Sequence, residues 1–203
     1  MYSHTTKGEA KQMSGSDPVV LIIEDEPDVA ETYRLWMKDE YEVEVARDGE
    51  AGLDRLDESV DVVLLDRMIP GASGDEVLDY IREENLDCRV AMVTAVEPDF
   101  DILEMGFDTY LLKPVGGEHL SETVENLLER AEYNSLLQEY CSLVEKRTTL
   151  LTSKSKAQLA GSEEYEQLES EIELLQEQLS ETLGGIENNE DFVATIRGLA
   201  DAE

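Results

Sequence analysis

The sequence predicts an α/β fold, a five-stranded parallel sheet covered on both faces, followed by an all-α helical hairpin or coiled coil. Three observations support this. Between Pro18 and Glu132 short apolar runs and helical patterns alternate five times, the pattern of a doubly wound parallel sheet. Those runs end on residues able to do chemistry, at the edge where such sheets bind ligands. After Glu118 the chain changes character and its apolar residues keep a helical period. The 203 residues thus divide into a loose polar tail over 1–17, an α/β domain over 18–132, a helical module over 133–185, and a second tail over 186–203 with room for a short amphipathic helix.

Each element follows from its own residues. VVLII (19–23) reads as a buried strand. Pro27 suits the first turn of a helix reaching about Lys38, with Val29, Ala30, Tyr33, Leu35, Trp36 and Met37 as its apolar positions. YEVEVA (41–46) alternates strictly, which marks a strand with one wet face. Asp48 before Gly49 opens a second helix running to about Leu56. VVLL (62–65) is a buried strand ending on Asp66, and Pro70, Gly71 and Gly74 mark the loop to a helix from about Asp75 to Glu83. RVAMVT (89–94) is the fourth strand, a weak helix follows Pro98, and TYLL (109–112) is the fifth strand, closed by Lys113-Pro114. Another helix opens near Gly117.

Charge narrows the setting. Forty-nine acids against sixteen bases leave a net charge of −33. Self-repulsion on that scale disfavours compaction at low salt and repels phosphate backbones. The acids are spread along the whole chain, which fits a highly saline cytoplasm better than one acidic patch for a basic partner. No apolar run approaches the roughly 18 residues that span a bilayer, and the N-terminus lacks an apolar signal core. A cytoplasmic protein with no membrane partner is expected. Cys88 and Cys141 lack metal-ligand spacing and read as reduced thiols.

The strand ends carry the chemistry. Glu24-Asp25-Glu26 closes the first strand, Asp66 the third, Thr94 the fourth and Lys113 the fifth. If these strands are neighbours, the carboxylates crowd one rim and raise one another's pKa unless a cation is present. Mg²⁺ suits such a cluster, because it takes oxygen ligands and keeps several waters. With the Thr94 hydroxyl and the Lys113 ammonium, the set describes phosphoryl transfer to a carboxylate. Taken singly, each residue has a blander explanation: a lone acid after an apolar run is more often a turn former or helix cap, and a lone Lys-Pro is usually a loop. Their order and their common placement outweigh that.

LIIEDEP (21–27), LLDRMIPGASGDEVL (64–78), MVTA (92–95) and GFDTYLLKP (106–114) resemble the receiver domain of two-component response regulators. The likeness covers about Pro18 to Glu132 and implies a flavodoxin-like fold. It implies that Asp66 is the phosphoacceptor, with Mg²⁺ held by Asp25, Asp66 and the backbone carbonyl of Met68, and by Glu24 through water. It further implies that Thr94 and Lys113 bind the phosphoryl group, that Tyr110 is an aromatic switch turning inward on activation, and that Lys113-Pro114 is cis. The donor implied is a sensor histidine kinase. The implied readout face is formed by the fourth helix, fifth strand and fifth helix, a route to a homodimer alongside the helical region. Two details, at three positions, depart from the commonest pattern. Glu24 stands where Asp is more usual, and Met68 and Val96 stand where some members carry acid or amide groups that position the hydrolytic water. Bulky apolar groups there predict a phosphoryl lifetime of hours rather than seconds.

In the last third, apolar residues from Val124 through Leu136, Tyr140 and Leu143 to Leu151 extend the fifth helix, with or without a break near Asn134. A polar connection spans Thr152 to Ser162. Ser162 then reads as an N-cap before Glu163 and Glu164, and Tyr165, Leu168, Ile172, Leu175 and Leu179 follow at spacings of three and four. Gly184-Gly185 ends that helix. A hairpin packed on itself explains the stripe more simply than a dimer seam, and the two are compatible. Residues 136–151 and 162–179 resemble the HalX domain appended to haloarchaeal response regulators, a likeness that leaves its job open. The output expected is protein association. The alternative is a phosphorylation-controlled DNA-binding regulator: Arg147, Lys154 and Lys156 form a small basic cluster, yet Ala157 to Ile196 holds no Lys or Arg. A phosphohydrolase would need a second acid where Met68 stands. The chain is therefore expected to be no enzyme beyond its own phosphotransfer and slow dephosphorylation.

Overall fold

The computed structural model describes residues 17–186. The expected N-terminal tail, and a tail helix around Phe192 to Leu199, fall essentially outside these residues. The chain parts into two compact units between Ser121 and Glu122.

The first unit is built on strands β1 (Val19–Ile23), β2 (Glu42–Ala46), β3 (Val62–Leu65), β4 (Arg89–Thr94) and β5 (Thr109–Leu112). They form one sheet in the order β2-β1-β3-β4-β5, and every pair is parallel. The residue types explain the ranking. All four residues of β3 are buried, as are the last four of β1 and the last five of β4, as expected of unbroken Val/Leu/Ile runs in a parallel sheet. The two edge strands carry the exposed positions, and β2 keeps the alternation read from EVEVA. Leu21, Ile23, Val63 and Leu65 share a core with Val77, Leu78 and Ile81. Val20, Ile22, Val62 and Leu64, equally buried, point to the opposite face.

Helices α1 (Pro27–Met37), α2 (Gly49–Leu53) and α3 (Gly74–Glu83) connect the strands. Pro27 opens α1 as predicted, and the Asp48 side chain caps α2 by accepting from the Ala51 N–H. Ser73 and Glu76 open α3 with a reciprocal capping box. Two expectations shift. Helix α2 stops at Leu53 instead of Leu56, since two of its five residues are glycines with weak helical preference. The weak helix after Pro98 is a single 3₁₀ stretch, Phe100–Glu104, with no buried residue to extend it.

Helix α4 (Gly117–Ser153) begins in the first unit and continues without a break at Asn134. The second unit comprises the rest of α4, a single turn α5 (Lys156–Leu159) and α6 (Glu163–Ile186). The connection is more ordered than its polarity suggested, because Ser155 and Gln158 form another capping box. Helix α6 runs through Gly184-Gly185 where a stop was expected. Glycine weakens a helix by about 1 kcal/mol but keeps its N–H, so it permits a stop without imposing one. Leu136 and Leu143 of α4 pack with Ile172, Leu175 and Leu179 of α6. Gln176 donates to the Tyr140 hydroxyl at 2.8 Å, and Arg147 lies 3.6 Å from Glu169. Rising numbers on α4 thus meet falling numbers on α6, the antiparallel hairpin expected.

Candidate functional site

Because β1, β3, β4 and β5 are consecutive in the sheet, their carboxyl ends meet at one rim. The ladder continues one step past the strands: the Asp66 N–H donates to the Ile23 carbonyl at 3.0 Å, and the Lys113 N–H to the Thr94 carbonyl at 2.8 Å. Glu24, Asp66, Thr94 and Lys113 are thereby fixed by backbone pairing, which places charged groups at the end of an apolar sheet. Glycine makes the approach possible on one side. A Cβ at Gly74 would lie 2.4 Å from the Asp66 carbonyl oxygen, so only glycine lets the start of α3 pass that close.

The side chains converge. Lys113 Nζ lies 2.6 Å from Glu24 Oε2 and 2.5 Å from Asp66 Oδ2. The Met68 N–H donates to Asp66 Oδ1 at 3.1 Å, and the Thr94 hydroxyl donates to the same carboxylate. Asp25 joins from the solvent side: oxygens of Glu24, Asp25 and Asp66 all lie within 4.8 Å of one another. Glu24, Asp66 and Thr94 are buried, whereas Asp25 is exposed.

Burial and charge push the two buried carboxyls apart. Burial alone would raise Asp66, but the hydrogen bonds from Lys113, Met68 and Thr94 outweigh it and hold the carboxyl below its usual range. For Glu24 burial wins over its bond from Lys113, the Asp66 charge adds to it, and the carboxyl is pushed up. Burial lowers Lys113, yet its two carboxylate partners more than compensate and raise it. Asp66 is the group held ionised. Three carboxylates facing one ammonium leave an excess of negative charge and oxygen donors, the donor set that a hard divalent cation takes.

The remaining predicted residues surround this centre. The Met68 side chain is 70% exposed, so the position contributes to the site through its backbone. Tyr110 sits against Phe107, with ring centroids 5.4 Å apart, and its hydroxyl donates to the Val96 carbonyl at 2.8 Å. The Val96 N–H in turn lies 3.4 Å from the Thr94 hydroxyl. Thr94 and Tyr110 are thus linked through Val96. Lys113-Pro114 is cis. Arg67 is the residue that sequence reasoning missed. Its guanidinium grips Asp75 through two nitrogens, at 2.9 and 3.0 Å, and also bonds Asp101 of the 3₁₀ stretch. A base beside Asp66 in a chain this acidic was the available signal.

A parallel five-stranded sheet with an ionised, lysine-paired aspartate at its carboxyl rim defines a receiver-type domain. The family model of the response regulator receiver domain matches residues 20–125, and the chain belongs to that family. A model of the HalX domain matches residues 129–196. A Haloferax volcanii protein described as a candidate transcriptional regulator is 46% identical over 174 residues, 85% of this chain but 30% of that one. The sensory transduction protein RegX3 of Mycobacterium tuberculosis is 37% identical over 116 residues, 55% of this chain and 51% of its own. The chain therefore spans about half or less of these relatives. Among solved structures, a receiver domain from Methanospirillum hungatei superposes with a TM-score of 0.54 at 25% identity, over 58% of this chain and 98% of that one. One from Clostridium thermocellum gives 0.52 at 31% identity, over 57% and 97%. Among the described residues no helix is long and apolar enough to cross a membrane.

Proposed function

We propose that this chain is the phosphoacceptor of a two-component phosphorelay, with a receiver over 18–132 that controls a helical module over 133–185. The observation that carries the proposal is Asp66, buried yet held ionised by Lys113, Met68 and Thr94. One Asp66 oxygen attacks the phosphorus of a sensor kinase's phosphohistidine, the P–N bond breaks, and an acyl phosphate forms while the imidazole leaves. Lys113 is positioned to pair with the transferred group's equatorial oxygens, and Thr94 to donate to one of them. Asp25, Asp66, the Met68 carbonyl and Glu24 through water would hold Mg²⁺, which when bound supplies neutralisation of phosphoryl charge. Asp66 phosphorylation adds about −1.5 to −2 charge. Lys113 and Thr94 follow that charge, and the movement of Thr94 reaches Tyr110 through the Val96 bridge, letting the ring turn inward.

Exposed Met68, with Val96 on the other flank, offers no group to orient an attacking water, which supports a phosphoryl state lasting hours. The helical module acts by protein association. DNA binding is disfavoured because α6 carries eight glutamates and no base. Acetyl phosphate with Mg²⁺ should label the chain once, on Asp66, and the label should decay over hours after removal of the donor. Decay within seconds would contradict the role given to Met68 and Val96.

A further inference from the structure

The two helices of the hairpin differ in how much apolar surface they carry. Helix α6 presents two rows, Tyr165-Ile172-Leu179 and Leu168-Leu175, the pattern of a helix with one neighbour. Helix α4 meets it with two rows of its own, built on Tyr133-Tyr140-Arg147 and Leu136-Leu143-Leu150. It then adds a third at seven-residue spacing, Leu137-Val144-Leu151. A third row is what a helix carries when it contributes to a bundle of more than two. Within the hairpin this row is incompletely covered: Val144 at its middle is half-buried against the hairpin core, whereas Leu137 is 37% exposed and Leu151 53%.

Charge says what can cover it. The flanking row is Asn134, Cys141 and Thr148, and the next two rows outward contain one charge, Glu145. About 160° of helix circumference is thus nearly neutral, in a chain with a net charge of −33. The three threonine hydroxyls on this arc are also satisfied within the helix. Thr148 donates to the Val144 carbonyl at 2.8 Å, Thr149 to Glu145 at 3.0 Å, and Thr152 to Thr149 at 2.9 Å. At these three positions the arc offers methyl groups rather than free hydroxyls. A basic partner would find its complement on α6, with eight glutamates. Two copies of the chain approaching through α6 would set those glutamates against each other, whereas through the neutral arc of α4 they would not.

We propose that a second copy of this chain docks along Leu137-Val144-Leu151, so that two hairpins form a four-helix bundle. The proposal rests on the reading that the helical module acts by association, and it names the surface and the partner. A two-fold axis through Val144 sets Val144 against its own counterpart and, for antiparallel helices, Leu137 against the second copy's Leu151. The pairing is isologous and closes on itself.

Sedimentation equilibrium of the full chain in molar KCl with Mg²⁺, with and without beryllofluoride, tests this. A dimer is expected, and the double substitution Leu137→Glu/Leu151→Glu, at the two exposed positions, should weaken it about 100-fold with unchanged far-ultraviolet dichroism. Should that variant unfold, cysteine pairing decides: in a Cys141→Ser background, Val144→Cys should give a covalent dimer on oxidation, and Leu174→Cys on the exposed side of α6 should not. A monomer in both states, a dimer indifferent to the double substitution in a folded chain, or equal cross-linking from both cysteines would overturn the proposal. Phosphoryl uptake by Asp66, measured on the same samples, keeps the outcomes distinct. A monomer that takes the label contradicts the interface and leaves the receiver reading standing.

Discussion

In the first unit the central strands hide both faces, and the buried charges are gathered at one rim, where Lys113 bridges Glu24 and Asp66. In the second unit two helices bury one shared stripe and leave eight glutamates of α6 without a base on that helix. The same acidic composition thus has two consequences. Where the backbone ladder fixes a few acids together, they form an oxygen-donor cluster around the Lys113 ammonium. Where they line a helix, they become a repulsion that needs salt.

The largest expected effect lies at the rim. Lys113→Met leaves two buried carboxylates without their counter-charge, which should cost about 3–5 kcal/mol in denaturant titrations of the metal-free protein in molar KCl. Fluorescence of Trp36, the chain's single tryptophan, reports the first unit. A loss under about 1 kcal/mol would mean that the ammonium is dispensable there. Next comes the packing difference. Leu65 is fully buried in the middle of the sheet and Leu175 is 5% exposed in the hairpin. Leu65→Ala should cost about 4 kcal/mol and Leu175→Ala about 2, because a two-helix stripe can collapse around the gap while a sheet covered on both faces cannot. Equal losses would break the comparison.

Salt separates the units more gently. Lowering KCl from molar to about 0.1 M lengthens the screening distance from about 3 to about 10 Å, so helicity should fall before Trp36 fluorescence changes. A single coincident transition would show that repulsion along α6 is not the weak point. The smallest effect concerns reactivity alone. Burial pushes the Cys88 thiol up to about 11, whereas Cys141 is exposed on α4. A thiol reagent at pH 8 should therefore modify Cys141 of the dissociated chain rapidly and Cys88 only after unfolding.

The sheet was legible almost to the residue because parallel strands buried on both faces must read as unbroken Val, Leu and Ile runs. β1, β3, β4 and β5 begin and end where those runs do. The site was legible for a related reason: strand ends converge whenever their strands are neighbours, so Glu24, Asp66, Thr94 and Lys113 follow from topology. Arg67 was not legible. Its partners Asp75 and Asp101 lie eight and 34 residues away, and an ion pair leaves no period in the sequence. Helix ends were the other loss. Two glycines at 184–185 weaken a helix without stopping it, and Ser155-Gln158 built a turn inside a segment whose composition reads as loop. The third apolar row on α4 was present in the sequence, but its meaning depended on seeing that α6 left it partly uncovered.

The most direct test of the central claim is mass-spectrometric mapping of the phosphoryl group after acetyl phosphate and Mg²⁺ treatment of the full chain and its Asp66→Asn variant. One phosphoryl group on Asp66, absent from the variant and from protein kept with a metal chelator, is the predicted result. Label at another residue, or label that persists at full level in Asp66→Asn, would contradict it.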